Sequence, residues 1–176
     1  GERLVEQFGR LPGRVSTVVR LFGPYGPGQP AESTIGRILA CALTGHPISL
    51  PGPDWLRTFT FSEDAAAGIL AALCRPNTET LPHACYNIAS CETFSLRDVA
   101  KLAISLTGST SAITVPRPVR RRPGRERPIT VQIPSTERAA ADLGFRATTL
   151  LTEGLSRCIL HAHTAAPARE AGMVTA

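Results

Sequence analysis

Apolar residues along this chain switch between helical spacing and short continuous runs, and glycines punctuate the two. Leu4, Val5 and Phe8 share one helix face and Gly9 is a natural stop, so Gly1 to Gly9 predicts the end of a helix. Val15 to Phe22 is a β-branched run too continuous for an exposed strand, which predicts a strand buried on both faces. The stretch Gly23-Pro24-Tyr25-Gly26-Pro27-Gly28-Gln29-Pro30 is not expected to form regular structure. A Gly/Pro loop after a buried strand is where an open α/β sheet usually places its ligand. Ser33 or Thr34 can cap the next helix, in which Ile35, Ile38, Leu39, Ala42 and Leu43 form a stripe that Gly45 ends.

Further along, Ile48 to Leu50 and Arg57 to Phe61 read as short strands around a Pro-Gly-Pro turn. Ser62 starts a helix to about Cys74, with Glu63 and Asp64 favourably near its N-terminus. Ala84 to Ala89 is a strand, and Ser95 opens a helix carrying Leu96, Val99, Leu102, Ala103 and Leu106 as far as Gly108. Residues 109–128 are polar and rich in proline, Ile129 to Ile133 is a strand, and Ser135 starts a short helix closing at Gly144. Leu150 to His161 is the last helix, and a frayed tail is expected from Thr164 onward. The alternation predicts an α/β fold.

Composition narrows this reading. The 176 residues are 43% hydrophobic and 19% charged, with a mean hydropathy of +0.03. That balance excludes an acidic disordered chain and permits a sizeable core. No apolar run approaches the roughly 20 residues that cross a bilayer, and residues 1–20 lack the pattern of a secretory signal. Cys41, Cys74, Cys85, Cys91 and Cys158 include no CxxC pair. Cys41, Cys74 and Cys158 sit among apolar residues, as expected of small buried thiols in a reducing cytoplasm. The net charge is +5, and Arg117, Arg120, Arg121, Arg122, Arg125 and Arg127 crowd one loop. Such a run could bind phosphate backbones, but no aromatic residue is interleaved for base stacking and no helix-turn-helix or zinc signature accompanies it. His161 and His163, two apart on a helix, point away from each other, so no metal site is expected.

Four segments in order resemble one family. Arg20-Leu21-Phe22-Gly23-Pro24-Tyr25-Gly26-Pro27-Gly28-Gln29 is similar to the Arg-x-Phe-Asn-x-Tyr-Gly-Pro-Gly segment of NAD-dependent nucleotide-sugar epimerases and dehydratases, the extended short-chain dehydrogenases/reductases. Arg57-Thr58-Phe59-Thr60-Phe61-Ser62-Glu63-Asp64 resembles their Arg-x-Phe-x-(Tyr/Phe)-Val-x-Asp, and Tyr86-Asn87-Ile88 with Ser95 and Val99-Ala100 resembles their Tyr-Asn-Ile…Ser…Leu-Ala. Leu143-Gly144-Phe145, Leu151 and Glu153-Gly154-Leu155 are similar to their closing segment. The match covers roughly residues 1 to 161. The family's Gly-x-x-Gly-x-x-Gly turn and Tyr-x-x-x-Lys pair have no counterpart in these residues, and neither Tyr25 nor Tyr86 is followed by a Lys four positions on.

The resemblance implies the C-terminal part of a doubly wound Rossmann-type sheet plus a small mixed α/β substrate-binding lobe. Residues 1–30 would end the NAD-binding domain, 31–163 would form the lobe, and 164–176 a disordered tail. By itself the chain would carry no catalytic residue. It would hold the sugar nucleotide and close the nicotinamide end of the cleft, in a parent enzyme that epimerises, dehydrates or decarboxylates a nucleotide-activated sugar as a homodimer. The cofactor would be NAD, with NADP left open, in the full-length parent. Leu21, Phe22 and Gly23 would border it. Ser33 and Thr34 would lie along the nucleotide, or simply cap a helix. Arg57 and Arg122 would meet the pyrophosphate, since a planar guanidinium pairs with phosphate oxygens. The alternative for Arg57 is a surface strand position paired with Glu63 or Asp64, and for Arg122 a solvated basic loop. Three positions depart from the family: Gly23 stands for an Asn whose amide meets the substrate, Arg125 for an Asp, and Pro134-Ser135 for an Asp-x-Ser helix start. A competing expectation is a stand-alone remnant of the same fold that binds a nucleotide or a protein.

Overall fold

The computed structural model describes residues 1–75, 83–117 and 129–171, the last six of these as backbone only. In chain order the elements are α1 (Glu2–Gly9), β1 (Ser16–Leu21), β2 (Pro24–Tyr25), α2 (Thr34–Thr44), β3 (Ile48–Ser49), β4 (Leu56–Arg57) and β5 (Thr60–Phe61). They continue with α3 (Ser62–Leu73), β6 (His83–Ile88), β7 (Phe94–Ser95), α4 (Leu96–Thr107), β8 (Ile113–Thr114), β9 (Val131–Gln132), α5 (Glu137–Leu143) and α6 (Leu151–Ala171). They form two compact units, and the chain passes between them five times. The fold is α/β.

The first unit comprises Gly1–Pro24, Thr58–Glu92 and Pro134–Thr149. Its spine is the parallel pair β1 and β6, in register from Ser16↔His83 to Leu21↔Ile88. Ala84, Tyr86 and Ile88 alternate inward along β6 and meet Ala72 of α3, Ala139 of α5 and Phe145 in one core cluster. Gly68 lets α3 close on this sheet, because a Cβ there would collide with the side chain of Ile88. The Asp64 carboxylate is buried and accepts hydrogen bonds from the Thr148 N–H (3.2 Å), the Thr148 hydroxyl (3.3 Å) and the Thr149 N–H (3.0 Å).

The second unit comprises Tyr25–Arg57, Thr93–Ile133 and Leu150–Ala176. Here α4 packs against both α2 and α6. Its core draws Ile35, Ile38 and Leu39 from α2, Val99 and Ala103 from α4, and Leu151 and Leu155 from α6. β3 pairs in parallel with β8, and β4 lies between antiparallel β7 and parallel β9. The helix ends follow the sequence closely. Ser33 and Ser95 accept the N–H groups of Gly36 and Asp98, while Gly45 and Gly108 end α2 and α4 in the left-handed conformation.

Several expectations need correction. β1 is not buried on both faces: Ser16 is buried, Thr17 to Val19 half-buried and Leu21 exposed. Among the described residues its partner is β6, a strand of this chain, so that neighbour does not come from elsewhere. Pro24 and Tyr25 form a two-residue strand where only loop was expected. The strand expected over Arg57 to Phe61 is two strands, broken at Thr58 and Phe59. β8 lies within the polar, proline-rich passage, where no strand was expected. In α5 the N-cap position is Thr136, whose side chain makes no capping hydrogen bond, while the preceding Ser135 Oγ accepts from the Glu137 N–H at a weak 3.5 Å. α6 runs beyond His161 to Ala171: neither Gly nor Pro interrupts the segment from Leu155 to Ala166, and the helix continues through Pro167. Cys74 is exposed, at the solvent-facing end of α3, and Cys41 is half-buried.

Candidate functional site

Arg57 occupies the centre strand of β7-β4-β9, which fixes its backbone on both edges. Its side chain is held as firmly. Nη1 donates to the Leu56 carbonyl at 2.8 Å and Nη2 donates to the Ile129 carbonyl. The guanidinium lies over the Trp55 ring, 5.5 Å from its centroid. Trp55 and Arg57, two apart on extended chain, project to the same side. Among the described residues no carboxylate pairs with Arg57. Asp64, an alternative partner for it, is committed to Thr148 and Thr149. A guanidinium carries five N–H donors, and only two are spent here on carbonyls. What remains is a half-buried cation with no counter-charge among the described residues, suited to an anion with two acceptor oxygens.

Ser33 and Thr34 stand at the start of α2. The Ser33 hydroxyl is occupied: it accepts from the Gly36 N–H at 3.0 Å and donates to Gln29 Oε1 at 3.2 Å. Capping thus uses its oxygen as acceptor, and Gln29 takes its proton. The half-buried Thr34 hydroxyl makes no hydrogen bond among the described residues, and it sits where helix N–H groups favour negative charge.

Leu21, Phe22 and Gly23 lie in the first unit, at and just beyond the end of β1. Phe22 N–H donates to the Ile88 carbonyl, the Phe22 carbonyl accepts from the Thr60 hydroxyl at 2.8 Å, and the Gly23 carbonyl accepts from the Thr60 N–H. Their main-chain acceptors thus serve the fold. The exposed Leu21 and half-buried Phe22 side chains leave apolar surface. Gly23 has φ +50, and a Cβ there would run into the Thr58 carbonyl oxygen. Glycine at 23 is therefore explained by close approach of Thr58 and Phe59, which no asparagine would allow without a shift. This end of β1 therefore offers apolar side-chain surface, and Leu21, Phe22 and Gly23 supply no hydrogen-bonding side chain.

Arg122 lies outside the described residues. Two cavities, of about 410 Å³ and 420 Å³, lie beside the Gly26–Gln29 loop and beside β1 and α3, and neither is lined by Leu21, Phe22, Gly23, Ser33, Thr34 or Arg57. Among the described residues no group of His, Cys, Asp or Glu is placed to hold a metal ion. Sequence reasoning missed Trp55; its signal was a lone aromatic two residues before Arg57 in an extended stretch.

The model of the NAD dependent epimerase/dehydratase family matches residues 1–89. No curated protein matches the sequence. Among solved structures, MoeE5 in complex with UDP-glucuronic acid and NAD is 26% identical with a TM-score of 0.80, covering 93% of this chain and 53% of its own. The Bordetella bronchiseptica enzyme WbmF in complex with NAD+ is 26% identical with a TM-score of 0.73, covering 96% of this chain and 52% of its own. UDP-glucose 4-epimerase from Thermotoga maritima, solved with UDP-glucose, is 21% identical with a TM-score of 0.78, covering 94% of this chain and 51% of its own. The chain spans about half the length of these structures.

Proposed function

Because the chain belongs to the NAD dependent epimerase/dehydratase family, we propose that it forms the sugar-nucleotide-binding part of an enzyme that epimerises, dehydrates or decarboxylates a nucleotide-activated sugar. The observation that carries this is Arg57, a guanidinium fixed by two carbonyls and a ring and left without a carboxylate among the described residues. A diphosphate bridging nucleoside and sugar supplies the missing negative charge and the paired acceptor oxygens. Thr34, at the start of α2, donates its hydroxyl to the nucleotide, and the neighbouring N–H groups favour the same charge. Arg122 joins Arg57 on the pyrophosphate.

Leu21 and Phe22 pack against the nicotinamide of NAD, an assignment supported by the apolar surface they leave at the end of β1. Bound NAD supplies the hydride acceptor for the sugar hydroxyl carbon. The residues of this chain bind and orient the substrate. Neither Tyr25 nor Tyr86, both buried and packed, is assigned as a base.

The test is turnover by the full-length protein with NAD and a panel of UDP- and dTDP-sugars, followed by chromatography of the sugar products. Arg57→Ala should raise KM about ten- to a hundredfold, the worth of a charge-assisted hydrogen-bonded pair. Unchanged KM in that variant would remove Arg57 from the site.

A further inference from the structure

We propose that Trp55 is a positioning residue that presents the Arg57 guanidinium to a diphosphate, and that Gly52 is the residue that makes room for its ring. This rests on the reading of Arg57 given above. A free arginine side chain has many rotamers to lose on binding a ligand, so fixing it beforehand improves affinity without adding a contact. Arg57 is fixed in this way. The two carbonyls of Leu56 and Ile129 hold its Nη atoms, and the Trp55 ring, within cation–π range at 5.5 Å, supports the cation. The carbonyls come from backbone that any sequence would supply. The ring does not.

Trp55 is itself anchored. Its N–H donates to the Gly52 carbonyl at 3.1 Å, and its carbonyl accepts from the Leu96 N–H at 3.2 Å. Arg97 N–H donates to the Pro53 carbonyl at 2.8 Å, and the Arg97 side chain pairs with Asp54 at 3.1 Å. The turn carrying the ring is thereby tied to the first residues of α4. Beneath the ring lies Gly52, where a Cβ would fall inside the indole. Any other residue at 52 displaces the ring, and with it the support of Arg57. Gly52 needs no unusual φ, so its role is space.

A double-mutant cycle in the full-length enzyme tests this, reading KM and kcat for its nucleotide sugar. Trp55→Ala should raise KM about three- to tenfold with kcat within about twofold. Trp55→Leu, which keeps apolar bulk but has no π face, should do the same, Trp55→Phe should restore most of the affinity, and Gly52→Ala should shift KM in the direction of Trp55→Ala. On an Arg57→Ala background, Trp55→Leu should change KM no further. If Arg57→Ala leaves KM unchanged, the substrate reading falls and this inference with it. If Arg57→Ala weakens binding but Trp55→Leu does not, or the two effects simply add, the positioning role is overturned while the substrate reading stands. Loss of folding in the alanine variant leaves the leucine and phenylalanine pair to decide.

Discussion

Cys158, Cys74 and Cys91 show how much a single position can differ from its sequence surroundings. Burial pushes the Cys158 thiol up to about 11, whereas Cys74 and Cys91 are exposed. Near neutral pH an alkylating reagent should therefore label Cys74 and Cys91 first and leave Cys158 intact until the protein unfolds; mass spectrometry of labelled peptides checks this. Early modification of Cys158 would contradict the packing of α6. At this scale the sequence was legible where the physics is local. Ser33, Ser95, Gly45, Gly108 and Gly144 do the capping and stopping their identities suggest. Exposure of Cys74 was not legible, since its apolar neighbours Leu70 and Leu73 are themselves exposed. Arg57 could be marked from a motif, but its Trp55 support depends on a turn tied to a distant helix.

Two elements carry testable packing. Gly68 is where α3 approaches β6, and Gly68→Ala should destabilise the fold by about 1–3 kcal/mol through overpacking against Ile88. Helix propensity alone would give the opposite sign, by about 1 kcal/mol, so denaturant melts separate the two. Tyr86 of β6 donates to Asp142 of α5 at 3.2 Å. Burial, then the Asp142 charge, raise its phenol above the usual 10.0. The folded protein thus holds this proton where the unfolded chain gives it up. The contribution is complete below about pH 10 and is lost as pH rises through the folded value. Thermal melts across that range should show stability falling, and less steeply in Tyr86→Phe. α1, α2 and α4 were visible in the spacing of apolar residues, α3 and α5 in their terminal residues, and β1 and β6 as separate strands. Their parallel pairing joins residues far apart in sequence, and no local signal encodes that. The two-residue strands β4, β5 and β8 are too short for any period to show.

For the molecule as a whole, each unit gathers three separate stretches of sequence, so a reading that moves residue by residue could find the pieces without their grouping. The family was legible because its motifs sit at element ends, where backbone geometry restricts residue choice. In the first unit β1 has a single partner strand among the described residues, and Leu4, Phe8, Leu70 and Leu73 are exposed. Produced alone, residues 1–176 should therefore self-associate, through an open strand edge and uncovered apolar surface. Light scattering after gel filtration checks this, and a monomer with a cooperative melt would contradict it.

The most direct measurement of the central claim is a crystal structure of the full-length protein with a nucleotide sugar bound. The diphosphate should lie within hydrogen-bond distance of the Arg57 guanidinium, with the Trp55 ring still supporting it. A diphosphate bound elsewhere, with Arg57 facing water, would contradict the assignment of this chain as the part that holds the sugar nucleotide.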